Sequence, residues 1–379
     1  MRGRAMLMIR TGLVVLALAL VLGAFILAGP RAALLMAVGL GFGLVLEGLR
    51  FGFAGPWRLI VTDRDGRGLM AQLLAIGATA AVALPLLSAA PGELAGAHAP
   101  IGLAMIGGAF LFGAAMQLVM GCGSGTLVNA GSGNLVGLVA LVGFVAGSFF
   151  GTLHLSWWTD LGTLPVMTVQ GLFGGAGAAL TVTLLGLALV AALVWWRAAP
   201  GRRMPPARLW IAAGLIAALA LANLVIAGQP WGIVYGLGLW GAKLAQAGGA
   251  DLAATAFWSS PGNARQLDAS LLTDVTTLTN IGLLVGAFLA MRWKRRPGAQ
   301  VGRMRPESWA AVLIAGLVLG YSARLAFGCN VGAFFSGVST GSLHGWVWFA
   351  AAFAGSGLGL KLRPVLLRPA APAAGGQPA

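Results

Sequence analysis

Eleven apolar runs separated by short polar connections constrain this chain more tightly than any other feature. They fall at 11–29, 32–49, 69–90, 101–120, 134–152, 166–196, 209–227, 231–246, 271–291, 308–327 and 343–361. A membrane-crossing helix needs about 20 predominantly apolar residues, and a re-entrant segment needs fewer. With 59% hydrophobic and only 9% charged residues, the chain lacks the polar surface of a soluble globule. The expected fold class is an all-α polytopic membrane protein.

A formal charge of +15 would suggest nucleic acid in a soluble protein. Here the basic residues cluster between apolar runs, the pattern of cytoplasmic loops, so nucleic acid is not an expected partner and the lipid bilayer is. The clusters are Arg2, Arg4 and Arg10; Arg50, Arg58, Arg64 and Arg67; Arg197, Arg202, Arg203 and Arg208; Arg292, Lys294, Arg295, Arg296, Arg303 and Arg305; and Lys361, Arg363 and Arg368. Placing all five inside requires that one of the eleven runs fail to cross. The weakest is 231–246, which is short, follows Pro230, contains four glycines and holds Lys243. Read as re-entrant or broken, it leaves about ten crossings in an inner, plasma-type membrane with both termini cytoplasmic. The run after Arg10 is long and further spans follow it, so it reads as an uncleaved first helix.

The chain also carries an internal echo. Laying 108–151 on 315–360 pairs the only two cysteines, Cys122 and Cys329, together with Gly125 and Gly332, and Ser132 and Ser339. After one inserted residue, Gly133, Leu135, Gly137, Gly147 and Ser148 fall on Gly341, Leu343, Gly345, Gly355 and Ser356. The loop charges make the run before Cys122 point inward and the run before Cys329 point outward. The copies are then antiparallel, as in transporters built from inverted-topology repeats. The expected organisation is a first half over 1–200, a second over 201–365, and a disordered cytoplasmic tail over 366–379, rich in Pro, Gly and Ala.

Irregular backbone survives at membrane depth only where protein or a wet cavity satisfies it. Residues 121–134 and 328–342 are expected to be such backbone, re-entrant loops feeding helices that begin at the N-cap residues Asn134 and Ser342. Glycine lets N–H groups approach a ligand, and a helix start adds unpaired donors and a positive dipole end. Both loops therefore suggest an anion site formed by Gly121, Cys122, Gly123, Ser124, Gly125, Thr126 and Asn129 on one side. On the other side stand Gly328, Cys329, Asn330, Gly332, Ser339 and Thr340. A thiol offers a weak S–H donor and a polarizable sulfur, suited to a substrate with a sulfur end. Glycines at helical spacing, Gly147 with Gly151 and Gly355 with Gly359, read as helix packing.

Arg324, five residues before Cys329, is an intramembrane cation beside this path and joins the candidate site. Lys243 is a poorer candidate of the same kind. Glu47 is placed to pair with Arg50 on one helix face, and Asp274 to cap a helix or line a cavity. His98, His154 and His344 lack metal spacing, and two cysteines cannot make a disulfide framework or a zinc site, so neither a metal nor a cofactor is expected. Most of Trp157, Trp158, Trp195, Trp196, Trp231, Trp293, Trp346 and Trp348 lie near predicted span ends, as an aromatic belt would.

Two stretches resemble a known family. Ser-Ala-Arg-Leu-Ala-Phe-Gly-Cys-Asn-Val-Gly over 322–332, with Ser-Gly-Val-Ser-Thr-Gly-Ser-Leu-His-Gly-Trp over 336–346, is similar to the second-half signature of the YeeE/YedE sulfur-transport family. Met-Gly-Cys-Gly-Ser-Gly over 120–125 and Ala-Gly-Ser-Gly-Asn-Leu-Val-Gly over 130–137 resemble its other Gly-Cys loop. The resemblance implies inverted halves meeting in an hourglass, and a non-enzymatic permease importing thiosulfate, with Cys122 and Cys329 as relay thiols. It also brings a TusA-type sulfur-carrier protein into view as a partner. Gly52, in Leu49-Arg50-Phe51-Gly52-Phe53, stands where family members often carry a further thiol, which leaves another sulfur or selenium oxyanion open. A membrane-embedded sulfur transferase working through a cysteine persulfide is the second reading, and a structural subunit or partner-gated channel the third.

Overall fold

The computed structural model describes residues 2–294 and 304–367, and among them there are helices and connections but no strand. Arg295, Arg296, Arg303 and Arg368, and residues 368–379 of the expected tail, lie outside the described residues. The helices are α1 Arg2–Gly48, α2 Ala54–Thr62, α3 Arg67–Ala89, α4 Leu103–Leu118, α5 Gly123–Gly131, α6 Leu135–Thr159, α7 Val169–Phe173 and α8 Gly175–Arg197. They continue with α9 Ala207–Ala227, α10 Val234–Ala247, α11 Pro261–Asp268, α12 Val275–Trp293, α13 Pro306–Leu325, α14 Ser336–Ser339 and α15 Leu343–Leu366. Eight segments among the described residues are long and apolar enough to cross a membrane, which makes this a multi-pass membrane protein.

Local chemistry explains the departures from simple spans. The runs 11–29 and 32–49 form one helix, α1, broken at Gly29 (φ 84°) because Pro30 removes a backbone donor and crowds the preceding turn. Run 166–196 is interrupted by Gly174 and Gly175, both at positive φ, so α8 starts nine residues later than expected. α10 has 14 residues, about 21 Å at 1.5 Å per residue, against about 30 Å of hydrocarbon. It is too short to cross.

The helices around the two Gly-Cys motifs exchange partners. α4 leads into Cys122 and packs on α15, while α13 leads into Cys329 and packs on α6. These crossings match position for position. A Cβ on Gly113 would overlap the Ala352 carbonyl oxygen, and one on its counterpart Gly320 would overlap that of Phe144. Gly147 lies on the Leu317 carbonyl, and its counterpart Gly355 on that of Phe110. In lipid, where apolar burial gives little drive, such close backbone approach is a main source of helix association.

The correspondence reaches beyond the motif seen in the sequence. α2 and α10 each follow an aromatic-Gly-apolar triplet, Phe51-Gly52-Phe53 and Trp231-Gly232-Ile233. Gln72 on α3 donates from Nε2 to the Gly52 carbonyl (2.8 Å), and Asn280 on α12 donates from Nδ2 to the Ile233 carbonyl (2.9 Å). Gln117 donates to the Ala54 carbonyl and Arg324 to the Val234 carbonyl, both at 3.3 Å. The loop expected over 50–67 thus contains α2, the counterpart of α10.

Two tryptophans of the expected belt are core residues instead. Trp231 stacks on Phe42 with ring centroids 3.7 Å apart, and Trp348 packs against Trp57 and Phe112. Each such aromatic pair adds about 0.5–1.5 kcal/mol beyond its burial. Trp157, Trp195, Trp196 and Trp293 are exposed, as expected.

Candidate functional site

Each Gly-Cys motif begins with a helix brought to an abrupt stop. α4 ends into Met120 (φ 57°) and α13 into Phe327 (φ 55°), left-handed conformations that cost a bulky residue energy and recur here at equivalent positions. Next comes a glycine folded onto the turn ahead. A Cβ on Gly121 would lie 2.9 Å from Thr126 N, and one on Gly328 2.7 Å from Ala333 N. Cys122 (φ −85°, ψ −166°) and Cys329 (φ −100°, ψ −170°) then share the same extended backbone.

After the cysteines the copies diverge. α5 follows Cys122, whereas a π-helical turn, Asn330–Phe335, and then α14 follow Cys329. The extra residue of the second copy falls after Ser339, where α14 ends, so the π turn is a local difference in winding and not the site of the insertion. The loops expected to be irregular over 121–134 and 328–342 are therefore mostly short helices. Their stability comes from packing, which short glycine-rich sequences do not advertise.

Two cavities flank the cysteines. The first, about 340 Å³, is lined by Gly121, Cys122, Ser124, Gly125 and Asn129 together with Gly52, Arg50, Arg67 and Arg208. The second, about 540 Å³, is lined by Arg324, Gly328 and Gly332 together with His98, Trp231, Tyr235, Phe257 and His344. Gly123, Cys329 and Asn330 line neither and form the partition. Both thiols are fully buried. Cys122 Sγ lies 3.4 Å from Ser124 Oγ, and a Cβ on Gly123 would stand 2.8 Å from Cys329 Sγ. The second thiol thus rests on the residue after the first.

The cavities are cationic, but by different means. In the first, Arg50 pairs with Glu47 at 3.3 Å, as its spacing predicted, and Arg67 pairs with Asp65 at 2.6 Å. The Arg67 guanidinium holds the Asp65 carboxyl below its ordinary value. Arg208 makes no ion pair among the described residues. In the second cavity Arg324 has no carboxylate partner among the described residues. Its guanidinium lies 5.2 Å from the Phe257 ring centroid and 5.8 Å from that of Tyr235, and its Nε is unpaired.

The remaining candidates have other occupations. Ser339 and Thr340 line neither cavity, and both hydroxyls donate to the Ser336 carbonyl. Thr126 Oγ1 donates to the Cys122 carbonyl, and Asn129 Nδ2 to that of Met120. Asn134 caps α6 through Val136 N, but Ser342 faces His344 Nδ1 (2.7 Å) instead of capping α15. Asp274 caps α12, and Lys243 is spent on the Leu267 and Ala269 carbonyls beside α11. Asn330 is fully buried, and neither its Nδ2 nor its Oδ1 has a partner.

Sequence reasoning missed Tyr235, Phe257 and the 95–100 segment of the second cavity, which carry no periodicity or spacing that points there. The arginines of the first were read only as loop charges. Among the described residues, no three His, Cys, Asp or Glu side chains group to hold a metal ion.

Relatives bear on this arrangement. A protein of Escherichia coli K12 described as the probable transporter YedE is 30% identical over 151 residues, 40% of this chain and 36% of that one. The Salmonella typhimurium protein of the same description is 30% identical over 156 residues, 41% of this chain and 37% of its own. These matches cover little more than a third of either YedE. The thiosulfate transporter TsuA of Spirochaeta thermophila is 27% identical over 331 residues, 82% of this chain and 92% of that protein. From the segment ahead of α2 to the glycines of α15, residues 49–358 match one family throughout, and the chain belongs to it: the sulphur transport family.

Proposed function

We propose that this protein is an inner-membrane permease importing a small sulfur-containing anion, thiosulfate first among the candidates. The observation that carries the reading is the pair of cationic cavities, one lined by the first Gly-Cys motif and the other by the second, with a buried cysteine in each motif and the Cys329 thiol resting on Gly123 between them. Unpaired positive charge in a low-dielectric cleft concentrates anions. Glycine amides at the start of α5 supply further donors, and the thiols offer S–H groups to a sulfur end. The name of the Spirochaeta relative points to the same substrate.

The exchanged helix crossings support halves over 1–200 and 201–365 related by inversion; ten crossings, both termini cytoplasmic and an arginine-rich first cavity opening inward complete the proposal and rest on loop charge. A TusA-like carrier would receive the anion at that inner mouth. A Cβ on Gly52 would meet no atom within 4 Å, so a family thiol there would project into open cavity. Its absence keeps another sulfur or selenium oxyanion as the alternative substrate.

Uptake of radiolabelled thiosulfate, sulfite, sulfate and selenite into vesicles tests the reading. Thiosulfate is expected to be taken up, and Cys122→Ala and Cys329→Ala each to slow uptake by roughly tenfold or more, the worth of a hydrogen bond to a charged group. Normally expressed variants that transport at the wild-type rate would remove the thiols from the mechanism. A stable sulfur adduct on Cys329, seen by mass spectrometry, would favour a transferase.

A further inference from the structure

Among the described residues, Asn330 alone has both polar atoms of a buried side chain without a partner. An amide side chain can make four hydrogen bonds, two as donor and two as acceptor, and burying it with none is costly. Asn330 also opens the π-helical turn, where the second motif departs in helix type from the α-helical start of the first. Turns of this kind are frequent at functional sites. Its counterpart in the first motif is Gly123, on which the Cys329 thiol rests. The two positions following the cysteines thus lie together in the partition, one emptied of side chain and the other carrying an unsatisfied amide.

We propose that Asn330 is the specificity-determining residue of the partition: its side-chain amide takes the oxygen end of the passing anion while the thiols take the sulfur end. The proposal rests on the permease reading above. An anion crossing the partition sheds its water, and each oxygen needs a replacement donor. Asn330 Nδ2 offers two N–H donors directly beside Cys329, in a side chain with neither polar atom partnered. Oδ1 remains to accept an S–H or water proton. The amide is neutral, so it can bind an anion without trapping it as a buried cation would. The conformational cost of leaving it orphaned in the resting protein is recovered only when substrate is present, which ties the residue to passage and not to the stability of the fold.

The test uses the full chain in proteoliposomes, with wild type, Asn330→Ala and Asn330→Asp, reading uptake of thiosulfate and the thermal midpoint with and without thiosulfate. Asn330→Ala is expected to slow uptake roughly tenfold to a hundredfold at subsaturating substrate, the worth of hydrogen bonds to a charged group. Its midpoint without substrate should equal or exceed that of wild type, since an orphaned amide has been removed. Thiosulfate should raise the midpoint of wild type and not of the variant. Asn330→Asp, close in shape but anionic, should be slower still. If Asn330→Ala does not reach the membrane, Asn330→Ser, which keeps one donor, is read in its place and should retain intermediate uptake. Wild-type uptake with an unimpaired Asn330→Ala overturns this proposal alone, and so does lost uptake with a lowered midpoint, which marks a structural role. A wild type that takes up none of the four anions overturns the permease reading itself.

Discussion

Gln117 and Arg324 occupy equivalent places in the two copies of the motif, five residues before their cysteines. Each donates to the carbonyl that opens a short helix, Ala54 of α2 or Val234 of α10. Gln117 also donates to Ser356 Oγ at 2.6 Å, and Ser148, the counterpart of Ser356, donates to the same Val234 carbonyl as Arg324. The scaffolds agree while the charges do not. The first cavity is lined by arginines from outside the motif, two of them paired with carboxylates. The second is lined by the motif's own Arg324, which has no carboxylate partner among the described residues. The lesson is that the repeat supplies geometry and single substitutions within it supply polarity, so a nearly symmetric frame can present different chemistry at its two ends.

The largest effect should come from breaking what the copies share. Gly113→Ala and Gly320→Ala each drive a methyl group into a backbone carbonyl of the partner helix, where no rotamer change can relieve it. Overpacking of this kind costs about 1–3 kcal/mol, and more when backbone must move. Both variants should lose folded protein in detergent by similar amounts, measured as thermal midpoint and monodisperse yield. A large loss in one with none in the other would show that the two crossings are not equivalent.

The next effect comes from removing what differs. Arg324→Gln gives the second copy of the motif the residue the first already has at Gln117. It should raise the KM for anion uptake roughly tenfold, because the charge is deep and has no carboxylate to share it. Arg208→Gln removes an exposed charge at the other mouth and should change KM less than about threefold, an effect that shrinks further at high salt. Uptake at low and high ionic strength separates the two. Equal sensitivity to salt would place both arginines in bulk solvent and end the distinction between them.

Much of this frame could be read from residues. Charge clusters and apolar runs located α3, α9, α12 and α13 to within a few positions, because helix length and loop charge are set by the bilayer. The pairing of Cys122 with Cys329 predicted two like turns, and Met120 and Phe327 share a left-handed conformation to within a few degrees. What escaped notice was tertiary. Phe51-Gly52-Phe53 and Trp231-Gly232-Ile233 share only a glycine between apolar residues, too little to announce a repeat. The helicity of 123–131 and 330–339 rests on packing, and burial of Trp231 on Phe42 depends on a chain segment nearly 190 residues away. Gly52 was the exception: the family resemblance marked it as a position without the expected thiol, and it lines the first cavity.

The smallest effect concerns the neutralised charges of the first cavity, and it carries a pH signature. The Asp65 carboxyl accepts from Arg67 Nη2 at 2.6 Å and from Arg67 N at 3.1 Å, which lowers its pKa in the folded protein. A depressed carboxylate stabilises the fold above its unfolded pKa, and that stability is lost as pH falls through the folded value. Asp65→Asn keeps an oxygen for the Arg67 N–H but loses the charge. Because the Arg67 side chain is 43% exposed, solvent screening limits the cost at neutral pH to about 1 kcal/mol or less. The difference in thermal midpoint between wild type and Asp65→Asn should therefore be small near neutrality and shrink further in acid, vanishing only once the pH is below the lowered folded value of Asp65. Releasing Arg67 adds to the first cavity a second arginine without a carboxylate, beside Arg208. KM at low salt should fall slightly, by less than about twofold. A rise would mean that the carboxylates of the first cavity assist the anion's exit, in which case the difference between the two cavities sets the direction of flow and not only affinity.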